Sequence, residues 1–194
     1  MIPQQETSLN TSGHCSLGIL ASGTGLRWGR REKSMIAFRG KPLLVNSLVE
    51  SDAYGEIIIN CRSTPFFYSH YANRLVCDRS PDNGPCFGIL ALLSASANEL
   101  MMIVPSDLIT IPVDLKRRLL EELNADDLGV AVVDESRLTS GCLLLKRSAL
   151  PFIERFLETG GRSLNGLVQC LDLRKRVLSP GDNPRDANNP DQLK

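Results

Sequence analysis

Small residues and positive charges share one stretch of this chain, GILASGTGLRWGRREK from Gly18 to Lys33. Ala21, Ser22, Gly23 and Gly25 carry short side chains or none, so backbone N–H groups there can approach phosphate oxygens closely. Arg27, Arg30, Arg31 and Lys33 follow at once. Of these, Arg27 and Lys33 can neutralise charge that builds on a departing pyrophosphate. Two carboxylates complete the set. Asp107 closes the apolar run MIVPSD, and Asp78 follows a shorter apolar run. From such positions a carboxylate can hold Mg2+, which takes one or two carboxylates plus phosphate oxygens and water. Each residue also has a plainer use: an Asp at a strand end serves as a cap or turn residue, and Lys33 as a solvated surface charge.

Two familiar phosphate motifs do not fit. In the pattern G-x-x-x-x-G-K-S/T, Lys33-Ser34 is preceded by Glu32 and Gly40-Lys41 is followed by Pro42. The dinucleotide pattern G-x-G-x-x-G starts at Gly23 and Gly25 but meets Trp28 where its third glycine belongs. The glycine loop therefore takes its meaning from what surrounds it.

Elements able to position these residues alternate along the chain. Apolar and β-branched runs predict strands at 17–21, 56–60, 74–77, 100–104, 130–134, 142–145 and 175–178, with an extended piece at 35–38. Helical spacing predicts helices at 42–52, 65–73, 88–97, 112–123, 149–158 and 163–171. A turn-rich loop and the start of a helix are expected after residue 178. Strands alternating with helices imply an α/β fold, a Rossmann-like, mostly parallel doubly wound sheet with helices on both faces in a single domain. Ligands of such sheets bind beyond the carboxyl ends of the strands. That rule selects the loops at 22–33, 78–87 and 106–111, which hold Lys33, Asp78 and Asp107.

Composition narrows the partners. The chain has 194 residues, enough for one full core. Its 22 Lys and Arg balance 22 Asp and Glu, so no global field favours nucleic acid or a membrane surface, and any anion site must be local. No apolar run is long enough to cross a bilayer. Residues 1–14 have neither the charged nor the apolar region of a signal peptide, and residues 1–16 are expected to be mobile. The six cysteines form no C-x-x-C pair and the histidines are only His14 and His70, which speaks against a cysteine–histidine metal site. Buried free thiols in a reducing, cytoplasmic compartment are expected.

Leu20-Ala21-Ser22-Gly23, Arg27-Trp28-Gly29, Lys33 and then Gly40-Lys41-Pro42-Leu43 resemble the nucleotidyltransferase signature L-A-G-G-x-x-x-R-M-G-x-x-K followed by G-K-P-L. Within that superfamily the chain is most similar to the molybdenum cofactor guanylyltransferases. IIIN at Ile57 to Asn60, CDRSPDNGPCFGI at Cys77 to Ile89, MMIVPSDLITIP at Met101 to Pro112 and ANNPDQL near the end resemble further family segments, in family order. The resemblance implies a nucleotidyltransferase-like domain over 17–194 that transfers GMP from GTP to molybdopterin, releases pyrophosphate and needs Mg2+. It implies nucleotide contacts at Leu20, Ala21, Ser22, Gly23, Lys33, Asn60, Asp78, Gly84 and Asp107. Asp107 and Asp78 become metal ligands, and Lys33 and Arg27 catalytic cations. Gly84 and Gly88 are expected to keep the site wall open. Molybdoenzymes or other proteins of cofactor synthesis are implied as partners. Ser22 replaces a family glycine, Trp28 a methionine, Phe87 a small residue, Asp186 an asparagine and Asn189 a threonine. These replacements leave open the use of CTP, another phosphate acceptor, and a non-catalytic nucleotide- or pterin-binding role.

Overall fold

The computed structural model describes residues 15–23, 32–62, 65–77, 84–134, 137–179 and 181–187. Its strands are β1 (Cys15–Leu20), β2 (Ala37–Phe38), β3 (Lys41–Pro42), β4 (Glu56–Asn60), β5 (Arg74–Val76), β6 (Leu100–Pro105), β7 (Leu108–Thr110), β8 (Gly129–Asp134), β9 (Arg137–Lys146), β10 (Arg174–Val177) and β11 (Arg185–Asp186). Its helices are α1 (Pro65–Tyr68), α2 (Pro85–Ala95), α3 (Leu115–Glu122), α4 (Leu150–Glu158) and α5 (Leu164–Cys170).

The seven-stranded sheet runs β10-β8-β9-β6-β1-β4-β5. Its ladders are parallel except those of β9, which is antiparallel to both β6 and β8. The link from β8 to β9 is too short for a crossover, so the two strands must pair antiparallel. Period-two patterning then sorts the sheet into two buried faces. Leu17, Ile19, Ile59, Met102, Val104, Val130, Val132 and Leu144 meet α3 and Tyr68 on one side. Ile58, Met101, Ile103, Ala131, Leu143 and Leu145 meet α2, α4 and α5 on the other. The expected doubly wound α/β arrangement is present.

Local differences have local causes. β1 begins at Cys15, so Cys15 and Ser16 are buried strand residues. Residues 42–52 form no α-helix but 3-10 turns at Leu43–Leu48 and Ser51–Ala53, broken where Glu50 takes a left-handed φ of 54°. Asn46 Nδ2 donates to Leu108 O and Ser47 Oγ to Pro105 O, which binds this segment to the sheet rim rather than to its own next turn. The α-helix expected over 65–73 is one turn, Pro65–Tyr68. α2 starts at Pro85, earlier than periodicity suggested, because proline suits a first helical turn. β7 and β11 pair with each other, a hairpin-like contact between distant segments that short-range pattern does not signal. The expected helix start near the C-terminus falls outside the described residues.

Candidate active site

β1 lies between β4 and β6, and the chain visits β4 and β5 on one side before crossing to β6 on the other. The strand order thus reverses at β1, which opens a crevice beyond its carboxyl end. Backbone bonds carry the ladder into that crevice: Ala21 N donates to Asn60 O at 2.8 Å and Ser106 N to Leu20 O at 3.0 Å. Leu20, Ala21, Asn60 and Ser106 therefore share one rim. Ser22 is 8% exposed, so its hydroxymethyl group is accommodated by the protein. Gly23 is exposed, and a Cβ built there meets nothing within 4 Å.

Lys33 and Asp107, 74 residues apart, meet at this rim. Lys33 Nζ donates to Asp107 Oδ2 at 2.6 Å, and the two side chains are 19% and 26% exposed. Lys33 opens the 3-10 turn Lys33–Met35. Its neighbours are held by Tyr68, a fully buried side chain at the end of α1. Tyr68 Oη donates to Glu32 Oε2 at 2.9 Å and lies 2.6 Å from Ser34 Oγ. Burial pushes the Tyr68 phenol well above its ordinary range, so it stays a donor. Asp107 is fixed from the other side, where Ala187 N donates to its backbone oxygen at 2.9 Å. The pairing of β11 with β7 thus delivers the C-terminal segment to Asp107.

Asn60 is fully buried. Its Nδ2 reaches Val76 O at 3.5 Å, while its Oδ1 has no hydrogen-bond partner among the described residues. Gly88 explains the tightness there: a Cβ on it would lie 2.6 Å from Asn60 Oδ1 and 2.9 Å from Leu20 Cδ2. Gly84 has a φ of 93°, and a Cβ on it would come within 2.9 Å of Arg162 O. Both glycines thus serve close packing of α2, a reason distinct from the open wall expected of them. Phe87 points along α2 into a groove of about 830 Å³ lined also by Val76, Leu90, Ala91 and Leu157. The Arg162 guanidinium lies 5.2 Å from its ring. The bulk introduced by Phe87 therefore occupies a groove that Lys33 and Asp107 do not line. Arg27, Trp28, Asp78 and Asn188 lie outside the described residues.

Among the described residues no three His, Cys, Asp or Glu side chains gather into a metal cage. One half-accessible carboxylate, Asp107, at a strand end is instead a hard oxygen donor of the kind that suits Mg2+ shared with substrate phosphates. The tyrosine clamp around Lys33 and the contact from Ala187 went unread in the sequence. Tyr68 had no signal beyond an aromatic in an expected helix.

The chain matches the family described as MobA-like NTP transferase domain over residues 17–173. It belongs to the MobA-like NTP transferase family. This nucleotidyltransferase is 37% identical, over 177 residues, to the molybdenum cofactor guanylyltransferase of Pseudomonas fluorescens strain SBW25, covering 90% of this chain and 88% of that one. It is 28% identical over 150 residues to the enzyme of the same name from Shewanella halifaxensis, covering 76% and 75%. Its fold is also that of molybdopterin-guanine dinucleotide biosynthesis protein A from Archaeoglobus fulgidus, with a TM-score of 0.69 at 19% identity over 84% of this chain and 83% of that one. The 4-diphosphocytidyl-2C-methyl-D-erythritol synthase of Anaerococcus prevotii shares the fold too, with a TM-score of 0.70 at 14% identity over 94% and 95%. No helix among the described residues of this MobA-like chain is long and apolar enough to cross a membrane.

Proposed function

We propose that this MobA-like nucleotidyltransferase transfers GMP from GTP to molybdopterin, forming the guanine dinucleotide and releasing pyrophosphate. The carrying observation is the Lys33–Asp107 contact at the strand-order reversal, 2.6 Å long and held from both sides. It is supported by 37% identity to a guanylyltransferase along nearly the whole chain.

The chemistry needs positioning and charge stabilisation more than covalent help from the protein. GTP lies against the backbone of Ala21 to Gly23, where side chains are small and Gly23 faces open space. The phosphate oxygen of molybdopterin attacks the α-phosphorus, and the bond from that phosphorus to the leaving pyrophosphate oxygen breaks. Lys33 exchanges part of its bond to Asp107 for the pyrophosphate oxygens, where charge collects as that bond breaks. Arg27 joins it by its place in the sequence signature. Asp107, joined by Asp78 through its place in the sequence signature, would hold Mg2+, and the ion would supply neutralisation of phosphate charge. Asn60 Oδ1, buried and without a hydrogen-bond partner among the described residues, offers an acceptor at the crevice wall. The six cysteines carry no disulfide, and we place the protein in the cytoplasm on that ground.

The deciding experiment measures pyrophosphate release with GTP, CTP or UTP, each with molybdopterin and Mg2+. Turnover with GTP well above the other two is expected. Turnover with CTP alone would transfer the reading to cytidylyl chemistry, and binding of nucleotide without pyrophosphate release would make the protein a carrier.

A further inference from the structure

Cys61 and Cys77 continue β4 and β5 by one residue each. The two strands pair in parallel, with Ile59 opposite Leu75 and Asn60 opposite Val76, and Cys61 N donates to Val76 O at 2.9 Å. The ladder thus carries on to the cysteine pair. Alternation places Cys61 on the face that Ile59 occupies, while Cys77, just past β5 at the mouth of the α2 groove, has its thiol within hydrogen-bonding reach of Cys61. Cys61 belongs with Ile59 to the buried cluster on that face, and Leu75 packs against it. Opposite residues of adjacent strands have Cα atoms about 5 Å apart, inside the range of about 4.4–6.8 Å that a disulfide spans. We infer that Cys61 and Cys77 form an oxidisable thiol pair, closing to a reversible disulfide at the rim of the sheet when the protein meets a peroxide.

Their environments divide the labour. Cys77 is exposed, so peroxide reaches it first, whereas Cys61 is fully buried. Burial, reinforced by the adjacent Cys77 and by Glu32, pushes the Cys61 thiol up to about 11. The Cys77 sulfur attacks a peroxide oxygen and gives up its proton, the O–O bond breaks, and the products are Cys77 sulfenic acid and water. The Cys61 sulfur then displaces the sulfenic oxygen. The S–S bond forms, the Cys61 proton leaves with that oxygen as water, and both thiols have been oxidised by one equivalent of peroxide. The other exposed thiol, Cys170, closes α5, which leads into β10 at the other edge of the sheet from β5, and serves as an internal control. The pair is independent of which nucleotide the protein uses. Its place is nevertheless telling, because Cys61 follows Asn60 directly and feels the charge of Glu32, one of the residues beside Lys33.

The test exposes the reduced full-length chain to hydrogen peroxide, alkylates remaining thiols and maps peptides by mass spectrometry without reductant. A cross-linked peptide joining Cys61 to Cys77, short of two hydrogens and cleaved by dithiothreitol, is expected. It should form in Cys170→Ser and be missing in Cys77→Ser, a surface change that leaves the core intact. In Cys61→Ala the sulfenic acid should persist on Cys77 and be trapped by dimedone. Cys77 passing to sulfinic acid while Cys61 stays reduced would overturn the inference, as would a disulfide joining Cys77 to Cys170 or to a second molecule.

Discussion

Lys33 Nζ and Asp107 Oδ2 stand 2.6 Å apart with both side chains partly open to water. A partly exposed ion pair of this kind adds little to stability, so its value lies in placing an ammonium beside the crevice at the strand-order reversal. Lys33→Ala should lower turnover by about 100-fold or more, the usual loss when one preorganised donor to developing charge is removed. Its melting temperature should scarcely change. Tyr68 works one step behind. Its hydroxyl joins Glu32 and Ser34, the residues on either side of Lys33. Tyr68→Phe removes the buried hydroxyl's bonds to Glu32 and Ser34 and should cost about 1–3 kcal/mol of stability. We expect kcat to fall about tenfold with the KM for GTP nearly unchanged, since misplacing a group aimed at the transition state is paid for in rate. A tyrosine that only fills the core would leave kcat per folded molecule as it was. The signature residues Lys33 and Asp107 were legible as candidates from the sequence, because their types and flanking patterns were distinctive. Tyr68 was not, because a buried hydroxyl acquires its meaning only from neighbours that the chain brings from elsewhere.

At the scale of elements, α2 rests on β1 and β4 through two glycines. A Cβ on Gly18 of β1 would lie 3.3 Å from Leu92 Cδ1 of α2, and one on Gly88 of α2 would lie 2.6 Å from Asn60 Oδ1 of β4. Gly88→Ala should therefore destabilise the protein by about 1–3 kcal/mol, the ordinary cost of overpacking. It should also weaken nucleotide binding by displacing Asn60, and a titration compared with thermal melting would separate the two effects. At the far edge of the sheet, Asp127 fixes the turn before β8. Its carboxylate accepts the Asn124 N–H at 2.8 Å and Arg174 Nε at 2.7 Å, which ties β10 to that turn. The backbone bond first and the guanidinium second hold Asp127 below the usual carboxylate range. Because its folded value is depressed, the stabilisation is present above the unfolded value of about 3.9 and is lost as pH falls through the folded value. Asp127→Asn should melt below the parent at pH 7, and the gap should close as the pH is taken below about 3.9. The strands on which these contacts depend were readable, since alternation and β-branching are local signals. The 3-10 turns at Leu43–Leu48 were not, because Asn46 and Ser47 bond to β6 and β7 rather than to their own segment.

Across the whole molecule, one sheet separates two buried clusters that share every strand of the centre, so ligand bound at its rim stabilises both. Saturating GTP with Mg2+, at about 100 times its Kd, should add about 2.7 kcal/mol and raise the melting temperature by roughly 5–10 °C, and EDTA should remove most of that rise. CTP in place of GTP should give a much smaller shift. The alternation of strands and helices and the mostly parallel doubly wound sheet were determined by the sequence alone. Hydrophobic period and turn chemistry are local properties, and they suffice for such a fold once connections are short and right-handed. The tertiary structure decided what distance along the chain conceals. It brought Lys33 to Asp107 across 74 residues and set Ala187 on the backbone of Asp107. It also turned Phe87 into a groove along α2 and stood Cys61 next to Cys77. Each of these depends on strand register and on which face of the sheet a helix covers, and those are settled only when all the apolar faces are buried together.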